Sequence, residues 1–355
     1  MTGPLVLPCI DVHAEGEVGR VLLGGNLGVR GTTMTERLQW CADNLDDLRR
    51  VLLREPRGHP SMCGVLVLPP INETSDASIV VLEQGGFRAM SGSNTICAVT
   101  AMLETGTVAM KAPETVVRLD TAVGLVEALA RVEGNKVLDV RVRNVPSWAE
   151  SIDTPIAVPE YGEVHADIAF GGQFYVQAPA AAMGVELGTS DAPAVVRAGA
   201  ALLAAAREQV TVTHPTDPRL SWISLVMLHG PATDPGVSGR NSVVLPTGTL
   251  DPSRPESWRG VLDRSPCGTG TSARMACLHA RGELDLDVPF VHQGVLGTTF
   301  EGRLHEQVQF HGREAVVPSI RGRAWISGFQ QIVLHPDDPF PSGFTLGDIW
   351  GETSL

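Results

Sequence analysis

Two segments of the sequence have the composition of helices that are buried on every side. The first runs from Met90 to Gly106 and the second from Ser265 to Gly282. Small and apolar residues occur all around both segments, whereas a helix at the protein surface carries a polar face. A chain with two such helices must supply other elements to cover each of them, so this feature constrains the fold more than any other.

The two segments can be aligned with an offset of 176 residues, which is close to half of the 355-residue chain. The matched positions are Ser91-Gly92 and Cys267-Gly268, Thr95 and Thr271, and Gly106 and Gly282. The identities are few, but both copies place a hydroxyl or thiol side chain, followed by glycine, at a helix start. The alignment therefore predicts two pseudo-symmetric halves, each with strands wrapped around a central helix whose N-terminus faces a cleft.

Strand-like runs surround both segments, beginning at Leu5–Val12. The 38 glycines and 25 prolines are dispersed, as expected for many short strands joined by turns. The clearest surface helix is predicted at Ala192–Gln209, which is rich in alanine. We therefore expect an α+β fold. The predicted first half is 1–155 together with 326–355, and the predicted second half is 156–325.

Composition argues against two classes of partner. The chain has 40 acidic and 27 basic residues, a formal net charge of -13, and only 5% aromatic residues. It therefore lacks the positive charge and the stacking rings of a nucleic-acid binder. No apolar run approaches the ~18 residues of a membrane-spanning helix, and Met1–Cys9 lacks the basic region of a secretory signal. We expect a cytoplasmic protein that binds a small-molecule substrate, and a homodimer is compatible with the sequence.

The six cysteines are too few and too scattered for a disulfide framework in a chain of this length. No Cys-x-x-Cys pair is present for zinc. We therefore expect free thiols. Cys97 and Cys277 fall inside the buried helices and are predicted to be core residues.

The start of each buried helix offers unpaired N–H groups and a partial positive charge, which suit a carboxylate. We expect the amides of Gly92, Ser93, Gly268 and Thr269 to bind a substrate carboxylate from two sides. The same field lowers the pKa of a thiol, so Cys267 is expected to be a thiolate near neutral pH.

With Ser91 across the cleft from Cys267, one residue can remove a proton from a carbon beside the carboxylate while the other supplies one to the opposite face. This chemistry is racemisation or epimerisation without a cofactor. A lone buried cysteine is usually structural. The surrounding block Asp-Arg-Ser-Pro-Cys-Gly-Thr-Gly-Thr, at Asp263–Thr271, favours a catalytic role instead.

Five segments carry a further signal: Ile10–Glu17, Glu55–His59, Met90–Ile96, Phe170–Tyr175 and Asp263–Arg274. In these segments, and in their order over nearly the whole chain, the sequence resembles the proline racemase family. The family includes proline racemases, 4-hydroxyproline 2-epimerases and trans-3-hydroxy-L-proline dehydratases. The resemblance implies a diaminopimelate-epimerase-like fold with two pseudo-symmetric halves, no pyridoxal phosphate and no metal.

The chain departs from the family's usual pattern in the first motif. Where the family has Met-Cys-Gly-His, this sequence has Met90-Ser-Gly-Ser93. Ser91 thus replaces the first catalytic cysteine, and Ser93 replaces a histidine that helps to line the substrate site. Because a hydroxyl is much harder to deprotonate than a thiol, we expect Cys267 to be the main base. Ser91 is expected to donate a proton or to act through water.

The resemblance also assigns roles to two other residues. Asp263 is predicted to accept a hydrogen bond from the ring ammonium of the substrate. Cys63 lies in Arg57–Val65, where the family has a stretch that lines the cleft. We interpret Cys63 as a cleft-wall or core thiol rather than as a catalytic residue.

Two patterns that suggest other ligands are interpreted as structural. Asp11, His13, Glu15 and Glu17 alternate along one predicted strand, which splays them too far apart to bind one metal ion. The Gly268-Thr-Gly270 sequence is not preceded by the hydrophobic strand that a dinucleotide-binding loop needs.

The favoured function is 4-hydroxyproline 2-epimerisation by Cys267 and Ser91. The alternative is a trans-3-hydroxy-L-proline dehydratase, because elimination of water needs proton removal from one face only. Dehydratases of the family generally keep the first cysteine and carry threonine at the second, which is the reverse of this arrangement, so a bifunctional enzyme also stays open. A third reading is a non-catalytic imino-acid binder.

Overall fold

The computed structural model describes residues 4–23, 27–347 and 349–350. Contacts between residues divide the chain into two compact units. Unit 1 comprises the described residues of Met1–Val142 and Gly322–Leu355, and unit 2 comprises Arg143–Arg321.

Strands form most of the regular structure in the described residues. In chain order they are β1 (Leu5–Ala14), β2 (Glu17–Leu23), β3 (Cys63–Leu68), β4 (Ala77–Glu83), β5 (Gly86–Arg88), β6 (Glu114–Thr121), β7 (Gly124–Glu133), β8 (Lys136–Arg143), β9 (Trp148–Val158), β10 (Gly162–Phe170), β11 (Phe174–Pro179), β12 (Ile223–Gly230), β13 (Gly239–Pro246), β14 (Gly260–Leu262), β15 (Phe290–Gln293), β16 (Thr299–Phe310), β17 (Arg313–Gly322) and β18 (Ala324–Leu334).

The helices of the described residues are fewer. They are α1 (Met34–Asn44), α2 (Asp46–Leu53), α3 (Gly92–Glu104), α4 (Ala192–Gln209) and α5 (Gly268–Ala280), with short 3-10 helices at Ala180–Met183, Pro218–Leu220 and Pro255–Ser257. In this part of the chain, no helix is long and apolar enough to cross a membrane.

The pairing of strands in unit 1 begins with β1, which is antiparallel to both β18 and β2. Strand β2 then pairs in parallel with β3, and β3 is antiparallel to β4. Strand β4 is antiparallel to β5 and parallel to β6, and β6 forms a hairpin with β7. Helices α1 and α2 connect β2 to β3, and α3 connects β5 to β6.

Unit 2 repeats this order pair by pair. Strand β10 is antiparallel to both β9 and β11, β11 is parallel to β12, and β12 is antiparallel to β13. Strand β13 is antiparallel to β14 and parallel to β15, and β15 is antiparallel to β16. Helix α4 stands in the place of α1 and α2, and α5 stands in the place of α3. The predicted α+β fold with two similar halves is confirmed.

The two equivalent helices are buried because their side chains are small. Every residue of α3 from Gly92 to Leu103 is buried, and α3 contacts β1, β2, β3 and β18. Helix α5 contacts β9, β10, β11 and β16 in the same way. At Gly19 a Cβ atom would lie 2.9 Å from Asn94 Oδ1, and at Gly171 it would lie 2.2 Å from the Thr269 carbonyl oxygen. Strand and helix therefore approach too closely for any side chain at these two glycines.

The boundaries of the two units differ from those expected from the sequence. The expected boundary between 155 and 156 falls inside β9, which pairs with β10 within unit 2. The units divide instead between 142 and 143 and between 321 and 322. Many residues of β9 are only partly buried, so this strand lacks the apolar pattern by which its neighbours are recognised.

Candidate active site

Ser91 is the residue that immediately precedes α3. Its backbone is extended (φ -150°, ψ 125°), and its hydroxyl accepts hydrogen bonds from the Asn94 backbone N–H at 3.4 Å and the Asn94 side-chain amide at 3.1 Å. The Ser93 hydroxyl lies 3.3 Å away. Serine commonly caps a helix in this way. Because the cap uses only the oxygen as acceptor, the hydroxyl hydrogen can be donated, and the Ser93 oxygen is one acceptor within reach.

Cys267 occupies the equivalent position before α5, but in a different environment. Its side chain forms no cap hydrogen bond, and the residue is buried, with 5% of its surface exposed. Its φ of +60° lies in the left-handed region, which costs energy for a residue with a Cβ atom. Ser91, by contrast, is partly exposed.

The residues before Cys267 hold this strained backbone through a series of side-chain contacts. Asp263 Oδ1 accepts hydrogen bonds from the backbone N–H and the hydroxyl of Ser265, both at 2.8 Å. The Ser265 oxygen accepts in turn from the Cys267 N–H at 3.1 Å. The Asn241 amide donates to the Pro266 carbonyl at 3.0 Å. The Asp-Arg-Ser-Pro-Cys sequence thus builds the turn that presents the thiol.

Tyr175 is a further residue at this site, and no sequence pattern predicts a role for it. It is fully buried on β11, and its hydroxyl lies 3.4 Å from the Cys267 sulfur and 2.7 Å from the Thr269 hydroxyl. The one feature of the sequence that draws attention to Tyr175 is its position as the last residue of the Phe170–Tyr175 segment, which resembles the proline racemase family. That motif does not reveal a contact with a residue 92 positions away, which depends on how β11 packs against α5.

The protonation of Cys267 differs from the expectation. Burial raises the pKa of the Cys267 thiol well above its usual range, and the Asp263 carboxylate raises it further. Hydrogen bonds from the Tyr175 hydroxyl and the Gly270 backbone lower the pKa but do not compensate. The prediction of a thiolate near neutral pH is therefore wrong for the site as this structure presents it. One helix terminus supplies only about 1 kcal/mol, and desolvation of a buried charge outweighs it.

The four residues predicted to bind a carboxylate all lie in the first turns of the two helices. Gly92 and Ser93 open α3, Gly268 and Thr269 open α5, and all four are buried. The first hydrogen bonds within the helices start at Thr95 and Thr271. The N–H groups of the four predicted residues therefore precede these bonds, and such groups are the ones that capture anions at helix starts.

Three other cysteines with a predicted place are buried in the structure. Cys63 lies on β3, and its thiol contacts Glu17 Oε1 at 3.4 Å. Cys97 and Cys277 are fully buried in α3 and α5, which confirms their assignment to the core. Burial raises the pKa of Cys277 to about 12. The cysteines of the described residues are all free.

The acidic residues near the N-terminus do not alternate along one strand as expected. Strand β1 ends at Ala14, and the chain turns at Glu15, whose φ is 48°. Asp11 pairs with Arg20 at 2.8 Å, and Glu15 pairs with Arg323 at 2.9 Å. In the part of the chain that the structure describes, no group of three or more His, Cys, Asp or Glu residues has a geometry that holds a metal ion.

A sequence model of the proline racemase family matches residues 9–345. The chain belongs to the proline racemase family. It is therefore an enzyme of the amino-acid racemase and epimerase class.

Two relatives are similar over nearly their whole length. A 4-hydroxyproline 2-epimerase of Streptosporangium roseum is 40% identical over 341 residues, which cover 96% of this chain and 98% of the relative. The crystal structure of a hydroxyproline epimerase from Agrobacterium vitis, with bound trans-4-hydroxy-L-proline, superimposes with a TM-score of 0.91 at 36% identity. That match covers 99% of this chain and 98% of the relative.

A more distant likeness concerns the fold alone. A phenazine biosynthesis protein of Bacillus anthracis superimposes with a TM-score of 0.60 at 12% identity, over 93% of this chain and 100% of that protein. The two-fold repetition of strands around a buried helix is thus shared beyond the proline racemase family.

Proposed function

We propose that this chain is a 4-hydroxyproline 2-epimerase that inverts the α-carbon without pyridoxal phosphate or metal. The observation that carries the proposal is the equivalence of Ser91 and Cys267. Each precedes the buried central helix of its unit, and each is followed by glycine. The similarity to relatives named 4-hydroxyproline 2-epimerase supports the choice of substrate.

The substrate's two charged groups have proposed partners among the described residues. The N–H groups of Gly92, Ser93, Gly268 and Thr269 bind the carboxylate. Asp263 accepts a hydrogen bond from the ring ammonium. Its carboxylate is buried and close enough to Cys267 to raise the pKa of that thiol, so an ammonium bound there lies beside the proposed base.

The reaction begins with removal of the α-proton. The Cys267 thiolate takes the proton, the Cα–H bond breaks, and the electron pair moves into the substrate carboxylate, which the helix amides stabilise. The Ser91 hydroxyl then donates a proton to the opposite face of Cα. Water returns a proton to the Ser91 oxygen, and the hydroxide that forms takes the proton from the Cys267 thiol, which restores both groups. In the reverse direction Cys267 is the donor, a role that suits its raised pKa.

Substrate binding itself prepares Cys267 to act as a base. Desolvation and the Asp263 charge both hold the thiol protonated in the structure as it stands. A substrate ammonium beside Asp263 cancels that charge, and its own positive charge favours a thiolate. The high pKa of the free site is therefore compatible with a thiolate in the substrate complex.

The alternative activity, dehydration of trans-3-hydroxy-L-proline, is favoured by one specific observation. Within the described residues, the hydrogen-bond partners of the Ser91 hydroxyl are Ser93 and Asn94, and neither is a base. Ser91 therefore has no group to activate it for proton removal. Elimination needs only Cys267 as base and a proton donor for the leaving hydroxyl.

The deciding experiment is incubation of the purified protein with trans-4-hydroxy-L-proline, L-proline and trans-3-hydroxy-L-proline in deuterated water. We expect trans-4-hydroxy-L-proline to incorporate deuterium at the α-carbon and to undergo inversion there. NMR measures the deuteration, and chiral chromatography measures the inversion. Loss of water from trans-3-hydroxy-L-proline to a cyclic imine establishes the lyase instead. Binding without any exchange of the α-proton contradicts both activities.

A further inference from the structure

Unit 2 contains a cavity of about 790 Å³ that is separate from the residues of the candidate active site. Its lining includes Leu187, His229, Arg240, Arg274, Phe290 and His292, and we call it the Arg274 cavity. None of its described lining residues is Cys267, Asp263, Tyr175 or Thr269. Arg274 follows Cys267 by seven residues along α5, which corresponds to roughly 10 Å of helix.

The cavity contains a mostly buried guanidinium group whose acidic partners are shared with a second arginine. The Arg274 side chain is only 16% exposed, and its ion pair with Asp167 Oδ2 is long, at 3.5 Å. Arg281 holds the other oxygen of the same carboxylate at 2.5 Å. Asp167 is therefore shared by the two arginines, and the Glu283 carboxylate is the second negative charge that acts on both of them. Burying such a charge is unfavourable unless something balances it.

Arg240 adds a second cation to the lining. Its guanidinium donates a hydrogen bond to the Leu187 carbonyl, and among the described residues it has no ion pair with a carboxylate. Its backbone carbonyl accepts a hydrogen bond from the His292 ring, which fixes the start of β13 at the cavity wall. A carbonyl oxygen satisfies a guanidinium N–H but does not neutralise the charge.

The remaining lining residues indicate which kind of anion fits. Glu186 and Glu283 line the cavity too, but both are exposed, so their charges lie at the rim and oppose a dianion.

Burial lowers the pKa of His229 and of His292 to about 3, so both rings are neutral at physiological pH. Leu278 and Phe290 are buried and apolar. The volume lies within the range of small-molecule sites, roughly 300–1,000 Å³.

We propose that the Arg274 cavity binds a small organic carboxylate. The carboxylate group lies against Arg274 and Arg240, and the apolar part of the molecule packs on Phe290 and Leu278. A single negative charge suits Arg240, which has no carboxylate partner among the described residues, and the acidic rim disfavours phosphate. The proposal does not depend on the function proposed above, because no residue assigned to the epimerisation takes part.

The test is titration calorimetry with acetate, benzoate and 3-phenylpropanoate, each compared with its neutral amide, and with inorganic phosphate. We expect benzoate or 3-phenylpropanoate to bind at millimolar concentrations or better. The matching amide should bind at least about tenfold more weakly, because hydrogen bonds between charged groups are the strong ones. Equal affinity for acid and amide, or no binding by any of the three acids, overturns the proposal. Tighter binding of phosphate than of the organic acids does so too.

Variants of the two arginines test whether the acid binds in the Arg274 cavity. Arg274→Met and Arg240→Met should each weaken binding at least about tenfold, whereas Arg303→Met, a cation of unit 2 outside the cavity, should not. Arg240→Met keeps the test valid if Arg274→Met fails to fold, because Arg240 has no carboxylate partner to lose. Unchanged affinity in Arg240→Met overturns the proposal. So does displacement of the acid by an excess of trans-4-hydroxy-L-proline, since that result assigns the acid to the substrate site.

Discussion

The hydroxyl of Tyr175 lies 3.4 Å from the sulfur of Cys267, and both groups are buried on the inside of unit 2. A phenol hydroxyl that donates to sulfur stabilises the thiolate more than the thiol. It therefore opposes the effects of burial and of Asp263 on the pKa of Cys267. Tyr175 is in this sense a positioning residue for the proposed base, since it acts through Cys267 rather than on the substrate.

The first prediction concerns Tyr175→Phe. Loss of the hydroxyl removes an interaction that lowers the pKa of Cys267, so the pKa rises and the thiolate fraction falls at any given pH. We expect the pH profile of kcat/KM to move to higher pH, with activity at neutral pH about tenfold lower. Alkylation of Cys267 by iodoacetamide, measured by mass spectrometry, should become slower at neutral pH for the same reason.

Tyr161→Phe, a change at the other tyrosine of the chain, is the matched control. An unshifted profile in Tyr175→Phe contradicts the assignment.

The second prediction separates two roles of Asp263. Its charge raises the pKa of Cys267, so Asp263→Asn should lower that pKa and accelerate alkylation of the substrate-free enzyme. The same change removes the proposed partner of the ring ammonium, so epimerase activity should fall, mainly through a higher KM. Asparagine keeps an oxygen that can accept the hydrogen bonds from Ser265. A variant with slower alkylation, or with normal KM, argues against these roles.

The third prediction tests which cysteine acts as the base. Cys267→Ser should reduce α-proton exchange by about 10²–10⁴-fold, the usual contribution of a general base. Cys63→Ser is the control, because Cys63 is also a buried thiol and its contact with Glu17 can be made by serine. Exchange is measured as deuterium incorporation into trans-4-hydroxy-L-proline. Loss of exchange in Cys63→Ser with normal exchange in Cys267→Ser would reverse the assignment.

The fourth prediction concerns stability in mild acid. Burial lowers the pKa of His292 to about 3, whereas in the unfolded chain an imidazole titrates near ~6.5. Below that pH the unfolded chain binds a proton that the folded protein does not, so stability falls as the pH falls. The slope is about 1.4 kcal/mol per pH unit for one such group. Urea unfolding between pH 7 and pH 5 measures it. His292→Gln should flatten the curve, and an unchanged slope in this variant contradicts the prediction.

Local patterns in the sequence were sufficient to predict much of the fold. The bounds of α4 are those predicted, Ala192–Gln209, because its alanine-rich face and flanking polar residues are local signals. The repeat was also visible, since Ser91 and Cys267 each mark the start of a helix made of small residues. The sequence of β9 shows no strand pattern, because partial burial leaves no clean apolar alternation in it.

The properties of the candidate site depend on what packs around each residue, and the sequence does not contain that information in local form. The sequence correctly indicated that Cys267 stands at a helix start, but the sign of its pKa shift follows from burial by residues of other elements. Tyr175 illustrates the same limit. Its contact with Cys267 joins residues 92 positions apart, and a single sequence contains no local signal for such a pair.

The last prediction concerns Ser91, whose hydroxyl is proposed to donate the second proton. Ser91→Ala removes the donor and also the cap of α3, a loss of about 1 kcal/mol, which thermal unfolding detects separately. We expect exchange from the Cys267 face to persist, together with any elimination of water, while inversion of the α-carbon falls sharply.

Ser91→Cys keeps a side chain that contacts Asn94 and provides a thiol, which is far easier to deprotonate than a hydroxyl. Its epimerase activity should therefore rise above that of the natural sequence. The measurement is the ratio of inversion to deuterium incorporation in single-turnover reactions. If Ser91→Ala inverts as well as the natural sequence, water supplies the second proton and Ser91 is only the cap of α3.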